Sequence, residues 1–207
     1  MRADIPSLIL ITDCNRFPED HLLEAVEPAL KGGVDAVLLR EKGLSSAKLL
    51  ALASGLRAAT AAHGARLYIH TQADIAGAVG ADGVHVASGD IGNIPAIRRW
   101  LNDPQKTVSA SCHNEQELKL AGDNGADFIL LSPVFPTLSH PDAPHLGVKR
   151  FNALAAQSTL PVVALGGIDT GNCLELKGHS MAVIGAILAA GDPAAAARTL
   201  TAAAREE

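Results

Sequence analysis

Short β-rich runs alternate with longer alanine- and leucine-rich segments along the whole of this 207-residue chain, strand then helix, eight times. The strand candidates are Leu8 to Asp13, Ala36 to Lys42, Arg66 to Thr71, Gly83 to Ser88, Thr107 to His113, Phe128 to Val134, Val162 to Gly166 and Met181 to Ile187. The helix candidates that follow them are Asp20 to Lys31, Ser46 to His63, Ala73 to Val79, Ile94 to Leu101, Glu115 to Asn124, Lys149 to Gln157, Asn172 to Lys177 and Pro193 to Arg205. A glycine-acid join recurs where helix passes to strand: Gly33-Val34-Asp35, Gly80-Ala81-Asp82 and Gly125-Ala126-Asp127. Glycine ends a helix cheaply because it accepts positive φ, so the join reads as a repeated turn. Near-continuous apolar strands with crossover helices predict a parallel sheet covered on both faces, and eight units predict closure. The expectation is an α/β fold, a (β/α)8 TIM barrel forming one domain over residues 1–207, a length near the lower limit of about 200 for that fold. A doubly wound open sheet is the competing arrangement, and it more commonly uses about five or six strands.

Composition narrows the function. Apolar residues make up 48% of the chain and charged residues 19%, enough to bury a core and unlike a disordered segment. A formal charge of −5 supplies no global field for nucleic acid or an anionic membrane, so any bound anion is met locally. The three cysteines, Cys14, Cys112 and Cys173, form no C-x-x-C pair and leave one odd thiol under any disulfide scheme, which points to a reducing compartment. The N-terminus lacks the features of a signal peptide. The longest apolar stretch, Met181 to Ala190, is about half the roughly 20 residues of a membrane span. A cytoplasmic enzyme with small-molecule partners is expected; oligomeric state is left open, a homo-oligomer included.

A closed barrel carries its active site at the C-terminal ends of its strands. In strand two, Leu38, Arg40 and Lys42 share one parity, which would turn both cations into the barrel mouth, where they suit an anion. A solvated strand end with Arg40 paired to a carboxylate is the alternative. In strand five, Ser109, Ser111 and His113 alternate with Val108, Ala110 and Cys112, so Cys112 and His113 point apart and a nucleophilic Cys/His dyad is not expected. His113 is a candidate acid/base, against a hydrogen-bonded structural histidine. His70 and His85 also sit on strands, where packed roles are commoner. Strand seven ends in Gly166-Gly167, and Ile184-Gly185 precedes the last helix; barrels frequently bind phosphate after these two strands. The loop from Phe135 to Gly147 is long for a compact barrel and reads as a lid or binding loop. His140, Asp142 and His145 within it could form part of a metal site, but no further ligand cluster stands out to complete it. There is no Walker A sequence and no G-x-G-x-x-G after the first strand.

Ile11-Thr12-Asp13, Leu39-Arg40-Glu41-Lys42, Ala81-Asp82-Gly83-Val84-His85, Ser111-Cys112-His113, Gly125-Ala126-Asp127-Phe128, Ser132-Pro133-Val134-Phe135-Pro136-Thr137 and Pro161-Val162-Val163-Ala164-Leu165-Gly166-Gly167-Ile168 run in an order that resembles the thiamine-phosphate synthase and TenI-type thiazole tautomerase family along nearly the whole chain. The resemblance implies a synthase that joins a pyrimidine diphosphate to a thiazole phosphate and releases pyrophosphate with Mg2+ assistance. Arg40, Lys42 and Ser111 would then meet the pyrophosphate and Asp90 would be one metal ligand. Thr137, Ser139, Gly166, Gly167 and the Ile184-Gly185 backbone would hold the thiazole phosphate, under a lid carrying His140. The chain departs from the synthase pattern on the diphosphate side. Leu38 stands for a glutamine, His70-Thr71 for an Asn-Asp pair that includes a metal carboxylate, Ala87-Ser88 for Gly-Gln, and His140 for the lid lysine. The thiazole-phosphate half is better retained, which is the pattern of the related tautomerases; these aromatise a thiazole phosphate by proton transfer, with a histidine at the position of His113 and no metal requirement. The favoured expectation is therefore a tautomerase-like isomerase needing no cofactor, with a Mg2+-dependent synthase as the alternative. A non-catalytic binder of a thiamine intermediate and a phosphosugar isomerase or epimerase are the readings from other classes. The Ser-Cys-His and Ser-His-Pro stretches are also similar to the synthase-like domain found fused to Nudix hydrolases, a partner that is not present in this sequence.

Overall fold

The computed structural model describes residues 5–137 and 144–206. Eight parallel strands close into one barrel in sequence order: β1 (Leu8–Ile11), β2 (Ala36–Leu39), β3 (Arg66–His70), β4 (Gly83–Val86), β5 (Thr107–Cys112), β6 (Phe128–Leu131), β7 (Val162–Leu165) and β8 (Ser180–Val183). Pairing of β8 back onto β1, with Leu8 opposite Met181 and Leu10 opposite Val183, excludes the open sheet. Around the barrel lie α1 (Glu19–Lys31), α2 (Ser46–Ala62), α3 (Ala73–Val79), α4 (Ile94–Leu101), α5 (Glu115–Asp123), α6 (Gly147–Gln157), α7 (Gly185–Leu188) and α8 (Pro193–Arg205). Among the described residues no helix is long and apolar enough to cross a membrane.

Alternation along the strands sorts their side chains into two apolar layers. Ile9, Ile11, Leu38, Tyr68, Phe128, Leu130, Val163 and Ala182 fill the barrel interior, with Tyr68 edge-on to Phe128 at 5.7 Å between ring centroids. Leu10, Val37, Leu39, Ile69, Val84, Val108, Cys112 and Leu131 pack outward against the helices.

The three glycine-acid joins form the foot of the barrel. Gly33, Gly80 and Gly125 all take positive φ, at 109°, 64° and 81°, so each helix ends where the repeat predicts. The aspartate two residues on then latches the head of the preceding strand. Asp35 accepts the Ser7 and Leu8 N–H groups at 2.9 Å, Asp82 accepts Leu67 N–H at 2.7 Å, and Asp127 accepts Val108 N–H at 2.7 Å. An arginine meets each carboxylate from outside: Arg205 on Asp35 at 3.4 Å, Arg57 on Asp82 at 2.5 Å and Arg98 on Asp127 at 2.5 Å.

Two elements differ from expectation. The seventh helix, expected over Asn172 to Lys177, is one 3-10 turn at Cys173–Leu176. Asp169 Oδ1 accepts the Gly171 and Asn172 N–H groups, and Asn172 Oδ1 accepts Asp169 N–H; these side-chain bonds compete with a helical start. The eighth strand, expected to reach Ile187, ends at Val183; Ile184 turns at φ −120° and ψ −83°, and Gly185–Leu188 coil into α7. The other strands end one to three residues short of their expected limits, because pairing stops where the rim begins. In β6, Pro133 has no N–H to continue the ladder.

Candidate active site

The rim of β2 is fastened to that of β1 by two groups. Thr12 Oγ1 accepts the Arg40 N–H at 2.9 Å, and both carboxylate oxygens of buried Glu41 accept the Cys14 N–H at 3.0 Å. With Glu41 turned toward β1, the flanking cations follow the parity of Leu38, an interior residue. Lys42 lines a pocket of about 280 Å³ at the ends of β2, β3 and β4, together with His70, Thr71, Gln72 and Asp90. Arg40 lies close enough to influence both His70 and His85. Among the described residues neither Arg40 nor Lys42 is in an ion pair, so the arrangement of a strand end with Arg40 on a carboxylate is not found there.

Two histidines lie beneath these cations. Burial, then the charges of Arg40 and Lys42, push the His70 pKa down to about 4, with Asp90 opposing. His85 is 2% exposed and is pushed down to about 3 by burial first, with His70 and Arg40 adding. Both rings are therefore neutral at pH 7. His85 joins two serines of β5, its Nδ1 2.9 Å from Ser109 Oγ and its Nε2 2.8 Å from Ser111 Oγ. Thr71 takes φ 60°, a left-handed conformation that costs a β-branched residue free energy. Its N–H donates to the His85 carbonyl and its hydroxyl to the His70 carbonyl, each at 2.8 Å.

His113 is exposed beyond the end of β5. Its N–H donates to Glu117 Oε2 at 2.7 Å, and its ring Nδ1 lies 2.8 Å from the Ser132 carbonyl. A carbonyl only accepts, so Nδ1 carries the proton and Nε2 is the basic nitrogen of the neutral ring. Cys112 is fully buried on the other face, where burial and the nearby Glu117 push its thiol up to about 12. No Cys/His dyad forms.

Across the mouth, the glycines ending β7 are required by the loop after β6. A Cβ on Gly167, at φ 67°, would lie 2.3 Å from the Pro136 carbonyl oxygen; one on Gly166, at φ 101°, would lie 2.7 Å from Pro133 Cα. Phe135 N–H donates to the Gly166 carbonyl at 3.0 Å, which holds that loop, and Thr137 in it, over the strand end. Ile184 and Gly185 open α7 beside β8. Ser139, His140 and Asp142 lie outside the described residues, and His145 is exposed.

Asp90 sits on a 3-10 turn, Ser88–Asn93, that sequence periodicity does not anticipate. Among the described residues no three His, Cys, Asp or Glu side chains gather as metal ligands. Mg2+ keeps several waters and is commonly held by one or two carboxylates with substrate phosphates, so Asp90 on the pocket wall fits as a single protein ligand. Glu41, also on the pocket wall, is engaged with the Cys14 N–H. Sequence reasoning singled out neither Thr12 nor Glu41 as part of the site. The signal available was the parity of Glu41, opposite to that of Arg40 and Lys42, which sets its carboxylate apart from them.

The family model described as thiamine monophosphate synthase matches residues 8–189. A Geobacter sulfurreducens protein with the provisional name thiamine-phosphate synthase is 42% identical over 200 residues, covering 95% of this chain and 93% of its own. The thiamine-phosphate synthase of Roseiflexus castenholzii is 34% identical over 197 residues, covering 92% and 85%. Among solved structures, thiamine phosphate pyrophosphorylase from Pyrococcus furiosus superposes with a TM-score of 0.84 at 31% identity, over 96% of this chain and 95% of that one.

Proposed function

Because the chain belongs to the thiamine monophosphate synthase family, we propose that it is a thiamine-biosynthesis enzyme that joins a pyrimidine diphosphate to a thiazole phosphate and releases pyrophosphate. The relatives' synthase names support this reading over the tautomerase that sequence departures favoured. The observation that carries it is Lys42 at a pocket that also presents His70 and Asp90, with Arg40 near enough to lower the pKa of His70.

In the coupling, the bond from the pyrimidine's carbon to the diphosphate breaks with its electron pair leaving on oxygen, and the thiazole forms the new bond to that carbon. Charge develops on the departing diphosphate, so fixed cations and donors aimed at its oxygens supply the main stabilisation. Arg40 and Lys42 do this from β2 and the Ser111 hydroxyl from β5. Thr12 and Glu41 hold the Arg40-Glu41-Lys42 backbone in place before substrate arrives. Bound Mg2+, with Asp90 and phosphate oxygens as ligands, would supply further neutralisation of that charge. His70, neutral where the resemblance expects part of an Asn-Asp pair, adds a hydrogen-bonding group without charge. Thr137 and Ser139, with the backbone at Gly166, Gly167, Ile184 and Gly185, would seat the thiazole phosphate opposite, beneath the loop carrying His140.

A second reading, the tautomerase, is favoured by one observation: the Ser132 carbonyl fixes the His113 tautomer and leaves Nε2 as a base. A product assay on purified protein separates the two. Magnesium-dependent thiamine phosphate from the pyrimidine diphosphate and the aromatic thiazole phosphate is the expected outcome. Aromatisation of the thiazole phosphate tautomer without thiamine phosphate, abolished by His113→Ala, would replace the synthase with the tautomerase. Neither product, with phosphate ligands still bound, would make the chain a binding protein.

A further inference from the structure

The residue linking the barrel interior to its mouth is His85, and we infer that it is a positioning residue that presets the Ser111 hydroxyl as a hydrogen-bond donor to an anion in the mouth. The inference rests on the reading of the mouth as a diphosphate site. Its physical basis is the chain Ser109 Oγ, His85 Nδ1, His85 Nε2, Ser111 Oγ, joined at 2.9 and 2.8 Å.

A neutral imidazole carries one donor and one acceptor nitrogen, so the chain has two possible directions. Ser109 decides between them. It is 1% exposed, paired in register with Phe128, and among the described residues its hydroxyl has one hydrogen-bond partner, His85 Nδ1. A buried hydroxyl proton left without an acceptor is costly, so the Ser109 O–H donates to Nδ1. Nδ1 is then the acceptor and Nε2 carries the ring proton, which goes to Ser111 Oγ. With that oxygen accepting from below, the Ser111 proton is free to point upward. Every donor in the chain runs from the interior to the rim, and the last one is left for an anion in the mouth. The other tautomer would turn a lone pair of Ser111 toward the same anion.

Burial reinforces the direction, because a charged ring would donate from both nitrogens and leave Ser109 without its acceptor; the depressed pKa of His85 keeps the ring neutral across the working pH range. His85 touches no substrate in this scheme. It acts through Ser111.

Two measurements on the intact protein test this. Nitrogen-15 NMR of labelled histidine reads the tautomer directly. The expected result is a protonated Nε2 at His85 in the wild type and a mixture of tautomers in Ser109→Ala. Calorimetric titration with inorganic pyrophosphate reads the consequence. Ser111→Ala weakens binding by about tenfold and Ser109→Ala by about threefold, the scale of hydrogen bonds to a charged group and of their orientation. In the Ser111→Ala background, Ser109→Ala has no further effect. Folded His85→Gln, whose amide has an acceptor and donors, retains more affinity than His85→Phe. A protonated Nδ1, equal losses from Ser109→Ala in both backgrounds, or equal losses from the two His85 variants each overturn the inference while pyrophosphate still binds. If the wild type binds no pyrophosphate at all, the reading of the mouth falls and the anion role of Ser111 falls with it.

Discussion

Thr71 shows most directly how one residue records a compromise. It stands at the end of β3 with φ 60°, and left-handed backbone costs a residue with a side chain roughly 1–2 kcal/mol. Asparagine tolerates that region far better than a β-branched residue. Thr71→Asn is therefore expected to stabilise the fold by about 1 kcal/mol, a rise of roughly 2–4 °C in Tm for a chain of this size. Thermal denaturation checks it; an unchanged or lower Tm would mean that the Thr71 hydroxyl bond to the His70 carbonyl outweighs the backbone strain. The strain sits at the position where the resemblance expects an aspartate, the better-suited residue for this conformation. The backbone at that point keeps a shape its own side chain does not favour.

At the scale of elements, the repeated joins make a quantitative claim. Asp127 accepts Val108 N–H, from a fully buried residue, and holds Arg98. Asp127→Ala leaves a buried donor without a partner and should cost about 1–3 kcal/mol, whereas Asp127→Asn keeps an acceptor and should cost less. Urea denaturation reads both. Asp123→Ala, which removes an exposed i,i+4 pair with Lys119, is the control and should change stability by less than about 0.5 kcal/mol. The joins were legible because glycine and aspartate at fixed spacing have few other uses, and so was the barrel, because strand and helix periods differ. The parity that puts Leu38 and Ser109 inside the barrel was also legible, since it follows strand alternation. What periodicity could not reach was structure made by side chains competing with the backbone. The Asp169-Asn172 turn replaced a helix, and Ile184 broke a run that reads as continuous strand. The bond from Ser109 through His85 to Ser111 spans two strands, and no pattern within either one contains it. Ser139 and His140 lie outside the described residues.

For the molecule as a whole, the buried histidines set the response to acid. The folded pKa values of His70 and His85, about 4 and about 3, lie below the unfolded value of 6.5. The unfolded chain therefore binds more protons between those limits, and stability rises with pH there. Their contribution is complete above pH 6.5 and is lost progressively as pH falls toward 4. The full two-proton slope is about 2.7 kcal/mol per pH unit. His179, lowered by burial, acts in the same direction. Denaturant midpoints from pH 7.5 to 4.5 should fall steeply, and His70→Gln should reduce the slope by about one proton. A flat profile would mean that these rings charge inside the fold.

The aspartate latches also bear on how the barrel is made as it is synthesised. They join residues 27, 15 and 19 positions apart, whereas the seam from Leu8 to Met181 waits for the last strand. All three latches lie in sequence that precedes β8, so a nascent chain can form these strand pairs before β8 is translated, whereas the joints between pairs and the β8–β1 seam are made separately. The fourth pair, β7 and β8, has His179 in the register position where the others have aspartate, and it contributes Gly166, Gly167, Ile184 and Gly185 to the mouth. The quarter of the barrel whose foot carries no aspartate latch is also the one that supplies these glycines to the mouth.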